Sequence, residues 1–240
     1  MMYLVEEKHL KRKRRWSIIR LCLYFLLLAV ACFALAKVAA GLLSTTTDGK
    51  HAVVSKGYIA LDPGHGGEGS PGCVYGGLLE RDITLELALR IKEKLVKQGY
   101  TVIMTREVDE TVTLEERAEI VNRSGADLCI SFHLNAHDDA SVHGIETWFN
   151  PDTNSRSSAL AEYIQQSIVV PTKGKDRGTY SDTTLVMTRE VLIPSCLVEL
   201  GYLSNDKERE KMSTEVYREK IAQGVIDGVE QYFKRYPDTR

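Results

Sequence analysis

Four polar residues of kinds that bind metal ions or transfer protons stand near the ends of predicted strands. They are His65, Glu80, His133 and Glu199. Taken singly, a strand-terminal histidine is usually a solvated residue, and Glu80 suits the start of a helix. Glu199 differs because an unpaired carboxylate within the strand VEL is costly to bury. Together, two imidazoles and a carboxylate on one rim match a catalytic zinc site with an open fourth position.

The stretch YIALDPGHGG, residues 58 to 67, runs from strand-forming residues into a histidine flanked by glycines. Glycines on both sides of His65 allow positive φ angles and keep the site open to a bulky polymer. A bare turn would need no histidine. His137 competes as a ligand because it lies four residues after His133. We prefer His133, which ends a strand, whereas His137 lies in the loop AHDDA, where positions are less rigid.

Alternating strand and helix patterns begin at residue 58. The first predicted helix places Ile83, Leu87, Ile91 and Leu95 four residues apart on one face. We predict strands over 58–61, 101–106, about 127–132, 145–149, 185–188 and 195–200, helices over 82–99, 113–125, about 155–168 and about 214–232, and a loop over 171–182. This alternation predicts a single α/β domain with a twisted, mostly parallel sheet of about six strands and helices on both faces. Ligands of such sheets collect at the carboxyl ends of the strands.

Charge is distributed unevenly along the 240 residues. Residues 1 to 50 carry nine Lys or Arg and three Asp or Glu, whereas residues 51 to 240 carry 22 and 30. An acidic folded part argues against nucleic acid as a partner. Most of the Lys and Arg residues within residues 1 to 50 instead precede the apolar run LCLYFLLLAVACFALA. With the residues that follow it, this run is long enough to span a membrane.

This pattern predicts an exported domain behind a membrane segment. We predict a basic cytoplasmic N-terminus over 1–20, a transmembrane anchor or signal segment over 21–43, a linker over 44–57 and a catalytic domain over 58–236. A retained anchor is favoured over a cleaved signal by the length of the apolar run. The preceding positive charges place the domain outside the cytoplasm.

The cysteines of the domain give no covalent framework. Three of the five cysteines lie there, and no CxxC pair occurs. Cys129 and Cys196 lie in apolar runs and are predicted core residues, whereas Cys73 lies in a glycine-rich loop.

The roughly 190 residues after the membrane segment suit one compact domain.

Seven segments occur in the order found in a known enzyme family. They are ALDPGHGG, LLERDITLELALRI, TVIMTRE, LEERAEIVN, ISFHLNA, GIETWF and VELGYLSN. The chain resembles the zinc-dependent N-acetylmuramoyl-L-alanine amidases of bacterial cell-wall metabolism, of the type 3 amidase fold, over roughly residues 58 to 234. Because one bare domain follows a membrane segment, it is most similar to the membrane-anchored amidases that make muramic lactam in the spore cortex for germination.

The resemblance implies a zinc ion held by His65, Glu80 and His133, with Glu199 as the catalytic carboxylate. The bond cut would join the lactyl group of N-acetylmuramic acid to L-alanine of the stem peptide. Peptidoglycan is then the substrate, the domain faces the wall or cortex, and an accessory lipoprotein is a possible partner besides the membrane.

Further residues match the family less specifically. Arg117 and Asn122 stand at recurrent family positions, and Arg117 and Asn135 are the candidates for substrate contact, with a structural role as the alternative for Arg117. Tyr202 stands where the family more often has Phe.

Two other functions stay open on the sequence. A zinc peptidase cutting within the stem peptide could use the same ligands, so product analysis must separate it from an amidase. A non-catalytic wall-binding domain is disfavoured because Glu199 and all three ligands are present. No HExxH motif occurs, so a thermolysin-like protease is unsupported.

Overall fold

The computed structural model describes residues 55–237. The predicted basic N-terminus, membrane segment and nearly all of the linker lie outside the described residues. Within residues 55–237, none of the helices combines the length and the apolar character needed to cross a membrane.

Eight strands and six helices form the described part of the chain. The strands are β1 (Tyr58–Pro63), β2 (Val74–Tyr75), β3 (Leu78–Leu79), β4 (Thr101–Met104), β5 (Leu128–Asn135), β6 (Ile145–Phe149), β7 (Asp176–Ser181) and β8 (Ser195–Tyr202). The helices are α1 (Glu80–Lys97), α2 (Leu114–Arg123), α3 (Ser157–Thr172), α4 (Val186–Arg189), α5 (Asp206–Met212) and α6 (Glu215–Arg235).

Six of the strands form one mixed sheet in the order β4-β1-β5-β8-β6-β7. The first four strands in this order are parallel to one another, β6 is antiparallel to β8, and β7 is parallel to β6. The sheet therefore consists of a parallel block and a pair of strands running the other way. The prediction of a mostly parallel sheet is confirmed for four of the five strand pairings and fails at the antiparallel pairing of β6 with β8.

Helices cover both faces of this sheet, as predicted. Alternate residues of a strand point to opposite faces, so Ile59 and Leu61 join the large core under α1, α3 and α6, while Ala60 joins a smaller core under α2 and α4. The four apolar residues spaced along α1 are all buried in the larger core. Each contributes about 1.5–3 kcal/mol of burial free energy. Thr113 and Glu116 form a capping box at the start of α2.

Two local predictions are wrong. The run LVMT was predicted as a strand, but Val186–Arg189 forms the short helix α4. A short apolar run does not distinguish the two structures, and here the Asp182 carboxylate accepts hydrogen bonds from the backbone N–H groups of Thr184 and Leu185 and so turns the chain into the helix. The predicted loop over 171–182 contains β7, a polar edge strand that pairs on one side only and so lacks an alternating apolar pattern.

Candidate metal centre

The four candidate residues lie at one edge of the sheet. His65 follows β1, Glu80 is the first residue of α1, and His133 and Glu199 occupy paired positions on β5 and β8. The pairing of these strands shifts register just after His133. Such bulges are frequent beside active sites because they redirect side chains.

Three of these side chains converge on one point. The ligand atoms of His65, Glu80 and His133 all lie within 4.8 Å of one another. Oε1 of Glu80 is 3.1 Å from Nε2 of His65 and 2.9 Å from Nδ1 of His133. Donor atoms bound at about 2.0–2.1 Å in a tetrahedral metal site are roughly 3.3 Å apart. The spacing and the chemistry of these donors therefore fit a tetrahedral metal ion.

Backbone and side-chain contacts orient the three groups. The N–H groups of Cys73 and Leu134 donate to Oε2 and Oε1 of Glu80, at 2.9 Å and 3.0 Å. Ser70 lies 3.1 Å from Nδ1 of His65, which leaves Nε2 directed at the cluster. Contacts of this kind fix the tautomer and the orientation of metal ligands.

Glu80 is held in its charged form although it is buried. Burial alone would raise its pKa, but hydrogen bonds and charge from His133 and His65 hold the pKa well below its usual range. The same hydrogen bond acts on His133, where burial opposes the imidazolium but Glu80 and the charge of Glu199 raise the pKa. A buried carboxylate between two imidazoles is an environment that suits a cation.

The loop that carries His65 is held rigidly from beneath. His65 has φ 59°, in the left-handed region that few non-glycine residues occupy. Gly64 lies outside that region and is required for another reason, because a Cβ there would lie 2.4 Å from the His133 ring. Arg106 donates to the carbonyls of Pro63 and Gly64, both at 3.0 Å.

Glu199 has a different environment from the candidate ligand Glu80. The residue is half-buried, but its Oε2 is shielded from solvent and has no hydrogen-bond partner among the described residues. Burial, together with the charges of Glu80 and Glu146, raises its pKa to about 7, against a lowering by His133. A carboxyl group with this pKa exchanges protons readily near neutral pH.

Comparison with known proteins gives the family. The family model described as "N-acetylmuramoyl-L-alanine amidase" (Amidase_3) matches residues 59–231 of the chain. The chain belongs to the N-acetylmuramoyl-L-alanine amidase family. This confirms the resemblance seen in the sequence and makes the chain an enzyme of that class, in a family that is metal-dependent.

Individual relatives cover most of the described domain. The chain is 36% identical to "Uncharacterized protein YqiI" of Bacillus subtilis over 73% of this chain and 84% of that one. It is 33% identical to the "Germination-specific N-acetylmuramoyl-L-alanine amidase" of the same species over 75% of this chain and 81% of that one. A structure of the CwlD amidase from Clostridioides difficile in complex with the GerS lipoprotein is 31% identical, with a TM-score of 0.71, and covers 75% of this chain and 99% of that one.

The remaining predicted residues of this amidase domain lie outside the cluster. Arg117 is buried; it donates to Asp62 at 2.8 Å and to the carbonyls of Pro63 and His65. The Asn122 side chain donates to the carbonyl of Glu190 and accepts from the N–H of Leu192, away from the cluster.

Neither His137 nor Asn135 belongs to the three-ligand cluster. His137 accepts a hydrogen bond from the N–H of Asp139 within its own loop. Asn135 donates to Oε1 of Glu146 at 3.1 Å.

One acidic residue beside the candidate site was missed in the sequence. Glu146 lies on β6 directly opposite Glu199 and is only 3% exposed. A signal for it existed, because GIETWF places a carboxylate inside an alternating strand, where an unpaired charge is costly to bury. Arg177 pairs with that charge, and Asn135 donates a hydrogen bond to it.

Proposed function

We propose that this amidase uses zinc to hydrolyse the amide bond between the lactyl group of N-acetylmuramic acid and L-alanine of the stem peptide. The observation that carries the proposal is the His65, Glu80 and His133 cluster with Glu199 opposite His133. Two imidazoles and one carboxylate are the ligands of many catalytic zinc sites, which keep a further position open.

The ligands and the base divide the chemistry between them. When bound, zinc would act as a Lewis acid on the scissile carbonyl and lower the pKa of water to about 7. Glu199 accepts a proton from the attacking water and returns it to the departing amine of L-alanine. Its raised pKa of about 7 suits both directions of transfer at neutral pH.

The surrounding residues keep this arrangement in place. Arg117 acts in the proposal as a positioning residue rather than as a substrate contact, because its guanidinium binds Asp62 and the backbone of the His65 loop. Thr105 and Ser131 also donate to Asp62, each at 2.6 Å. This buried network ties β1, β4 and β5 together directly beneath the first ligand.

The proposed site of action is the spore cortex or wall, outside the cytoplasm. The relative named as germination-specific supports a role in cortex maturation. The amidase solved with a lipoprotein supports an accessory lipoprotein as a partner. The predicted anchor over 21–43 would fix the domain beside its polymer, which matters because an acidic domain has no long-range attraction to an anionic wall.

Product analysis tests the proposal. The purified full chain is incubated with cortex-type peptidoglycan, with added zinc or with a chelator, and the products are separated by mass spectrometry. We expect free peptides that begin with L-alanine in the zinc sample only. Peptides cut at an internal bond would instead establish a stem-peptide peptidase, and wall binding without any product would establish a binding domain.

A further inference from the structure

A second polar group adjoins the proposed catalytic residue on the antiparallel side of the sheet. Glu146 of β6 pairs with Glu199 of β8, and Arg177 of β7 binds Oε2 of Glu146 through Nε at 2.5 Å. Glu146, one strand away from Glu199, therefore anchors an arginine that lies two strands away from it.

Arg177 is fixed at its inner end and open at its outer end. The centre of its guanidinium lies 5.2 Å from the centroid of the Tyr202 ring, and a Cβ on Gly144 would lie 2.8 Å from its Cγ. Within residues 55–237, its Nη1 and Nη2 make no hydrogen bond, and 27% of the side chain is exposed. Because the anchored guanidinium loses little further freedom on binding, its free nitrogens form a ready site for a planar anion.

Residues that shortly precede Arg177 in the chain line a basic cavity, in contrast to the acidic domain as a whole. A cavity of about 620 Å³ opens next to Gly144, and four of its lining residues are lysines: Lys173, Lys175, Lys207 and Lys211. Its two carboxylates are already engaged, Asp206 with Arg209 and Glu208 with the N–H of Gly144. The lining of this cavity therefore favours anions over cations.

We propose that Arg177 is a specificity-determining residue that binds a free carboxylate of the stem peptide. The inference rests on the proposed function. A guanidinium binds a carboxylate through two parallel hydrogen bonds. In a peptide substrate without phosphate, the carboxylates are the only groups that can accept such a pair of bonds. Arg177 lies two strands from Glu199, roughly 10 Å across the sheet. An extended peptide covers that distance in about three residues, so the carboxylate recognised lies within three residues of the bond cut.

A pair of substrates tests the inference directly. Two soluble muropeptides are prepared that differ only in whether the stem-peptide carboxylates are free or amidated, and kcat and KM of the full chain are measured for each. We expect kcat/KM to favour the free form by about 10- to 100-fold, mainly through KM. Arg177→Gln should bring this ratio close to one, and Arg177→Lys should restore part of it. The ratio is unaffected by any loss of folded protein.

Arg189→Gln is the matched control, because Nε of Arg189 also pairs with a carboxylate, that of Glu190 at 2.8 Å, but in the short helix α4 and outside the three-ligand cluster. It should keep the ratio of the unmodified chain. A ratio near one in the unmodified chain, or an Arg177→Gln chain that keeps the preference, would overturn the inference. If neither muropeptide is hydrolysed, the proposed function fails separately, and calorimetric binding of the two muropeptides to the Glu199→Gln and Arg177→Gln chains decides the role of Arg177.

Discussion

Glu80 and Glu199 are two carboxylates at the same edge of one sheet, and their surroundings push their pKa values in opposite directions. Glu80 accepts hydrogen bonds from two backbone N–H groups and lies beside two imidazoles, which hold its pKa well below the usual range. Glu199 has an oxygen with no partner among the described residues, and burial raises its pKa to about 7. Such divergence assigns the roles of permanent anion and exchangeable acid.

The difference arises from the elements that carry the two residues. Glu80 starts a helix, and the free N–H groups of its loop and of β5 reach its carboxylate. Glu199 lies within a strand whose N–H and carbonyl groups already bond the neighbouring strands, so the backbone has nothing left to donate. The same type of side chain thus suits the proposed ligand role in one place and the proposed base role in the other.

Removing the charge of Glu80 should have the largest effect. We expect Glu80→Gln to lose both bound metal and hydrolysis, because a ligand is removed and two imidazoles are left without their shared anion. The loss of metal affinity should exceed the roughly 10- to 100-fold typical of residues that only orient a ligand. Metal content by mass spectrometry after dialysis measures it. Glu68→Gln, at an exposed position of the same loop region, is the control; full metal occupancy in Glu80→Gln would refute the role of Glu80.

The matching change at Glu199 should separate the two roles. Glu199→Gln keeps the size of the side chain and removes the proton acceptor, so kcat should fall by about 10²- to 10⁴-fold. Metal content should stay at the level of the unmodified chain, since Glu199 is outside the three-ligand cluster. A Glu199→Gln chain that loses its metal would show that the two carboxylates share one role.

The surroundings of Glu80 could be predicted from the sequence, whereas those of Glu199 could be predicted only in part. Glu80 and His133 stand at the ends of strongly patterned elements, where parallel strands and a helix meet at one edge by the rules of the fold. Glu146 and Arg177 could not be placed there, because their proximity depends on β6 running antiparallel to β8 and on the polar strand β7. Strand direction and edge pairing come from tertiary packing, which leaves little local pattern.

The smallest effect, and the most direct test of the environment of Glu199, is the pH dependence of stability in the metal-free chain. Below pH 4.5 the carboxyl group is neutral in the folded and unfolded states alike. Between pH 4.5 and about 7 it ionises in the unfolded state first, so the folded state loses stability as pH rises, and the full cost remains above pH 7. Glu199→Gln has no such cost. In chelator, we therefore expect it to be more stable than the unmodified chain by about 1–3 kcal/mol at pH 8 and equal to it at pH 4, a gain of several degrees in Tm. A Tm difference that is constant from pH 4 to 8 would mean that Glu199 ionises as an ordinary exposed carboxylate, and its contrast with Glu80 would disappear.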